Sequence, residues 1–146
     1  MVDFLIIGLK YSISYRDVVP LFVENRIGFG YNSVNGYENG LTAAGWWFSN
    51  VSNFRPEYYN FKTVYVEGNY KKFDQCQECI NINSFDDIPD GYFGMMGVPP
   101  STIIHINRDQ FDVLGIIHNG ATKYDQYEPV IDGKYVFHRW IIKRKQ

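Results

Sequence analysis

Two cysteines three positions apart, Cys76 and Cys79, are the side chains of this sequence best suited to metal or redox chemistry. A structural zinc needs four thiolate or imidazole ligands. No second CxxC and no HxxxH accompanies the pair, so the motif alone cannot assemble a site. A thioredoxin-like dithiol would stand at the end of a strand feeding a helix, whereas polar residues and Asn81 to Ser84 surround this one. The favoured reading is two reduced cysteines on a surface segment. His105, His118 and His138 are far apart, and none has a neighbouring serine, cysteine or carboxylate pattern that would name a triad or a metal site. Asp86-Asp87, just before Ile88-Pro89, reads as a turn and helix-start signal rather than a general acid with its base. The glycines of RIGFGYN (26–32) invite comparison with a cofactor-binding turn, but that turn follows a strand and enters a helix, and here a helix precedes and a loop follows. On these residues alone no enzyme is specified.

Cations and aromatics point elsewhere. Arg55, Lys62, Lys71 and Lys72 interleave with Phe54, Tyr58, Tyr59, Phe61, Tyr65 and Tyr70. Aromatic faces can stack bases while Lys and Arg neutralise phosphates. The competing reading makes the aromatics a small core and the cations its solvated rim. The terminal Lys143-Arg144-Lys145 is read as a solvated tail that can also touch phosphates.

The elements that must position these residues follow from pattern and punctuation. At 146 residues the chain has the length of one domain. Its 45% hydrophobic and 18% aromatic content is that of a folded chain. FLIIGL (4–9) is too short to cross a bilayer and follows an acidic residue, so no membrane span or signal peptide is expected and the cytoplasm is the default location. A net charge of −2 argues against a generally basic nucleic-acid coat but permits a local basic face.

Phe4 to Gly8 predicts a strand buried on both faces, and Ser14 a cap for a helix over Val18 to Val23 that Pro20 weakens. Strands are expected over 26–31 and 45–50, with a loop over 32–40 between them, and a brief strand over 63–66. Ile80 and Ile82 alternate with Asn81 and Asn83. Residues 86–94 carry turn signals and GMMGVPPS (94–101) reads as a loop. Asn107 to Gln110 start a short helix or turn, Asp132-Gly133 is a hairpin turn, and a β-rich run extends over 135–142.

In chain order, FLIIG (4–8) with ISYRDVVPLFVEN (13–25), RIGFGYN (26–32), WFSN (47–50), INSFDDIP (82–89), GMMGVP (94–99) with NRDQFDVLG (107–115), and IDGKYVFHRWIIKRK (131–145) resemble the EcoRI-type family of DNA N6-adenine methyltransferases. The resemblance is to the C-terminal half of that family. It implies that FLIIG follows the catalytic strand of a Rossmann-like methyltransferase, and that the rest supplies the last sheet strands and the DNA-contacting elements. The family's S-adenosylmethionine-binding glycine motif and its Asn-Pro-Pro-Phe catalytic motif would lie upstream. Pro99-Pro100, the one Pro-Pro pair, follows Val98, so these 146 residues hold no Asn-Pro-Pro-aromatic sequence. Leu9, a shortened loop between Tyr31 and Trp46, and Pro100-Ser101-Thr102 depart from the family's pattern and leave target specificity open.

The expectation is therefore a single α/β domain: a partial Rossmann-like unit with a strand-rich remainder and a C-terminal hairpin. No catalytic, cofactor or metal residue is expected. Tyr31, Asn32, Trp47, Asn50, Arg55, Lys71, Lys72 and Arg108 are expected at double-stranded DNA, the aromatics stacking and the cations on phosphates. The expected role is a non-catalytic recognition module, or one half of a split enzyme whose N-terminal half would bring S-adenosylmethionine. The alternative is a phage or mobile-element protein that inhibits a restriction or other defence factor by protein–protein binding.

Overall fold

The computed structural model describes residues 2–34, 45–50, 56–117 and 122–146. In chain order they form β1 (Leu5–Leu9), α1 (Val19–Val23), β2 (Gly28–Val34), β3 (Gly45–Ser49), β4 (Thr63–Val64), β5 (Lys72–Phe73), β6 (Cys76–Asn81), β7 (Pro89–Asp90), β8 (Met95–Val98), α2 (Pro100–Ile103), β9 (Phe111–Ile116), β10 (Val130–Ile131), β11 (Lys134–Tyr135) and β12 (Trp140–Arg144). The architecture is mixed α/β, mostly strands with few helices.

β3 pairs antiparallel with β1 on one side and β2 on the other. β1 and β2 therefore run parallel with β3 between them, joined through a 3-10 turn over Lys10–Ser14 and through α1. Pro20 lies in the first turn of α1, where its missing N–H breaks no intrahelical bond. Val18, not Ser14, occupies the N-cap, because Ser14 closes the preceding 3-10 turn. Asn25 adopts φ 58°, and the Arg26 N–H reaches back to the Leu21 carbonyl at 2.9 Å, a Schellman-type end. β1 is not buried on both faces as its apolar run suggests: Ile6 is 55% exposed. The face of β1 that carries Ile6 is therefore open to water, since side chains alternate between the two faces of a sheet.

The second sheet has the order β5-β6-β8-β12-β9, antiparallel except between β6 and β8. Trp140 and Ile142 of β12 face one hydrophobic cluster and Ile141 faces another. Both faces of the strand are thus covered, which is why its sequence is a continuous apolar run. Phe22 of α1 joins the sheets edge-on, 5.3 Å from the Trp140 ring and 5.5 Å from Phe29, with Phe48 5.3 Å beyond Phe29.

Further expectations need correction. GMMGVPPS is no loop: Met95 to Val98 form β8 and Pro100 opens α2. Gly97 is needed because the Phe73 ring lies 2.5 Å from where a Cβ would stand. Cys76 and Cys79 are buried in β6, not on a surface segment. The run over 135–142 is broken: β11 pairs with β10 across the Asp132-Gly133 turn, the chain crosses at 136–139, and β12 enters the other sheet. The proposed loop loses residues 32–34 to β2, while 35–40 lie outside the described residues, as do Arg55 and His118.

Candidate nucleic-acid interface

The residues expected at DNA fall into separate places. Phe29 pairs with Phe48 and Ser33 with Trp46, so residues 30–32 of β2 oppose Trp47 alone. The backbone of Tyr31, Asn32 and Trp47 thus lies at one β-bulge. At the end of β3, the Asn50 side chain accepts a hydrogen bond from the Phe4 N–H at 2.8 Å and donates to the Val2 carbonyl at 3.0 Å. It clamps the entry to β1.

Asn50 and Arg108 line one cavity of about 130 Å³ between the sheets, together with Asn25, Arg26, Gly28 and Asp109. Arg108 donates to the Val23 carbonyl at 2.7 Å and lies 5.4 Å from the centre of the Phe22 ring. A cation at that carbonyl suits the C-terminal end of α1. Burial pushes the guanidinium below its ordinary value, opposed by Asp112. Its Nη1 is buried with no hydrogen-bond partner among the described residues. Gly28, which lines the cavity, lies inside β2 and not in a strand-to-helix turn.

Lys71 and Lys72 belong to the other edge. Four strand spacings separate β5 from β9, about 19 Å. Both lysines are exposed, and Lys71 pairs with Asp132 of the β10–β11 turn, which raises its pKa through that hydrogen bond. Asp74 ties the two hairpin tips together, its carboxylate accepting the Asp132 N–H at 2.9 Å and the Gly133 N–H at 2.8 Å. This union brings Lys134 and Tyr135 to the same end of the molecule as Lys71.

Tyr135 and Phe137 are each 67% exposed. Sequence reasoning passed over Lys134, and over Tyr135 and Phe137 by merging those two into one strand with the core residues Trp140 to Ile142. The Asp-Gly turn was the available signal, since a two-residue hairpin at the surface limits how many following residues belong to it.

Other motif residues do structural work. Asn107 donates to the Pro56 carbonyl and accepts the Asp109 N–H at 2.8 Å. Gln110 accepts the Tyr59 N–H and donates to the Tyr59 carbonyl at 3.0 Å. Tyr59 is buried and Phe61, Tyr65 and Tyr70 are half-buried, so most of that aromatic region is packed, with Lys62 paired to Asp86 at 2.8 Å. Tyr58 remains exposed. The terminal cations are anchored: Arg144 bonds Asp90 and lies 4.1 Å from the Phe61 ring centre, and Lys145 donates to the Arg108 carbonyl at 2.6 Å. Among the described residues no group of three or more His, Cys, Asp or Glu could hold a metal, and no helix is long and apolar enough to cross a membrane.

These features define a strand-dominated α/β chain with basic and aromatic groups at two edges. The family described as adenine-specific methyltransferase EcoRI matches residues 35–145, and the chain belongs to that family. It is 28% identical to the type II methyltransferase M.MgeORF184P of Mycoplasma genitalium over 185 residues, covering 99% of this chain and 57% of the relative. It is 28% identical to M.EcoRI of Escherichia coli over 169 residues, 98% of this chain and 50% of that protein. With M.MpnI of Mycoplasma pneumoniae the identity is 24%, over 99% of this chain and 57% of the relative. The chain spans about half the length of the curated relatives it matches. No solved structure matches it.

Proposed function

We propose that this chain is the DNA-binding, target-recognition part of a DNA adenine methyltransferase and is not catalytic by itself. The observation that carries the reading is the joined pair of hairpin tips, where Asp74 holds the Asp132-Gly133 turn and Lys71, Lys72 and Lys134 are exposed. Exposed cations gathered at one end of the molecule suit a phosphate-binding surface, and on duplex DNA the lysines contact phosphates. Arg108, Asn50 and the bulge holding Tyr31, Asn32 and Trp47 form a second contact region.

Adenine N6 methylation holds the flipped base beside the methyl donor with hydrogen-bonding and stacking groups. Within this reading, the Asn-Pro-Pro-Phe motif and S-adenosylmethionine belong to a complementary half. The edge of β1 facing away from β3 is unpaired among the described residues and is the place where a Rossmann-like sheet would continue into that half.

The test is a salt titration of duplex binding by the chain and by its Lys71→Ala/Lys72→Ala variant. Each phosphate contact contributes about 0.9 to the slope of log K against log salt, so the double variant should lose about two units of slope. An unchanged slope rules those lysines out as phosphate contacts. Capture of a defence protein without DNA binding would favour the inhibitor reading.

A further inference from the structure

At the end of β6 a buried cation and two carboxamides form one chain of hydrogen bonds. Arg139 is 7% exposed, and its partners are an amide oxygen and carbonyls rather than a carboxylate: Nε donates to Asn81 Oδ1 at 3.2 Å and Nη1 to the Phe137 carbonyl at 2.6 Å. A guanidinium carries donors only, so Asn81 must turn its oxygen inward and its amide nitrogen outward. That nitrogen donates to Asn83 Oδ1 at 2.8 Å. The Asn83 oxygen is thereby occupied, and its Nδ2 is a donor with no partner among the described residues. Asp87 is fixed as well. Its Oδ2 accepts the Ser84 N–H at 3.1 Å and its carbonyl accepts the Tyr70 hydroxyl at 3.2 Å, while Oδ1 has no partner among the described residues. Asn83 and Asp87 line one open groove of about 370 Å³ with Asn69, Tyr70, Lys71 and Asn81. The Asn81 N–H bonds the Lys71 carbonyl at 2.7 Å and holds the two walls together.

We propose that this groove reads the edge of an adenine base, with Asn83 and Asp87 as specificity-determining residues, an inference that rests on the DNA-binding reading above. The pair offers one fixed donor and one fixed acceptor. Adenine presents the complement in the major groove, a ring N7 acceptor beside an N6 amine donor. Guanine presents two acceptors, so its O6 would meet the Asp87 carboxylate. Cytosine would satisfy Asp87 with its amine and leave Asn83 unpaired, and thymine offers no donor at all. A phosphate is the wrong ligand here, because the carboxylate repels it and leaves phosphates to the exposed lysines. Asn83 is oriented before any ligand arrives, through Asn81 and the buried Arg139, which is what base discrimination requires.

The experiment selects bound duplexes at low salt from a pool with a randomised central segment, using the chain, Asn83→Ala, Asp87→Asn and Lys72→Ala. The chain should enrich an adenine, and changing that adenine to guanine should weaken binding about 5–150-fold. Replacing it with 7-deazaadenine, which lacks the ring acceptor, should weaken binding by the chain and not by Asn83→Ala. Asp87→Asn keeps an oxygen for the Ser84 N–H and turns an amide donor toward the groove, so its enriched base should become guanine. Lys72→Ala should weaken every duplex alike. Bound duplexes with no enriched adenine, an adenine preference that survives Asn83→Ala, or an unchanged base in Asp87→Asn would overturn the inference and leave the DNA-binding reading standing. Adenosine binding to the free chain that Asn83→Ala abolishes would place a nucleoside in the groove instead of a duplex edge, and would also overturn it. If no duplex is bound at low salt, the DNA-binding reading itself fails and takes this inference with it.

Discussion

Gln110 shows how a motif residue can serve the fold and not the ligand. Its amide satisfies both backbone groups of Tyr59, a pairing that links residues 51 positions apart. Truncation to Ala leaves those groups to find other partners, at about 1–3 kcal/mol. Urea unfolding of Gln110→Ala should show that loss, and an unchanged midpoint would mean the clamp contributes nothing. Asp90 gives a pH-dependent counterpart. The hydrogen bond from Arg144, helped by the Gly91 N–H, holds its carboxyl below the usual carboxylate range. A folded-state pKa that is depressed contributes stability above the unfolded value of about 3.9 and loses it as pH falls through the folded value. Asp90→Asn should therefore be less stable than the parent at pH 6, and the gap should close on acidification below pH of about 4. Urea midpoints at both pH values check this.

The elements divide into those that tertiary packing fixes and those that stand at an edge. Ile6 is exposed on β1, whereas Phe48 of the neighbouring β3 is buried against Phe29. Ile6→Lys should change stability by no more than about 0.5 kcal/mol, while Phe48→Ala should cost about 3–5 kcal/mol. Thermal unfolding of both variants separates an open edge from a covered strand. Periodicity and turn residues made much of this level legible: β3 lies where aromatics cluster, the hairpin turn lies at Asp132-Gly133, and β9 follows the Asn107 turn. What was hidden had tertiary causes. Gly94, Gly97 and two prolines read as loop punctuation, yet Gly97 sits in β8 because the ring of Phe73, 24 residues earlier, occupies its face. The cysteines looked exposed because Gln77 and Glu78 are polar, yet those two residues alone of β6 face solvent while Cys76 and Cys79 are buried.

For the whole molecule, the family was legible in the order and spacing of its segments, and residues 35–145 match it. The shape of the proposed recognition surface was less so. Residues chosen by chemistry were sorted by topology: Lys71 and Lys72 lie across the second sheet from Arg108, and Asn50 holds the backbone of β1. A sequence lists cations, but only the strand order says which of them share an edge. The account treats the joined hairpin tips and the Arg108 cleft as two regions touching one duplex, so it requires binding that grows with phosphate contacts and does not need the methyl donor. The most direct measurement is the affinity of the chain for labelled duplex DNA at low and moderate salt, with and without S-adenosylmethionine. The account predicts binding that weakens steeply with salt and is the same with or without the cofactor. No binding at low salt, or binding that appears only with S-adenosylmethionine, would contradict it.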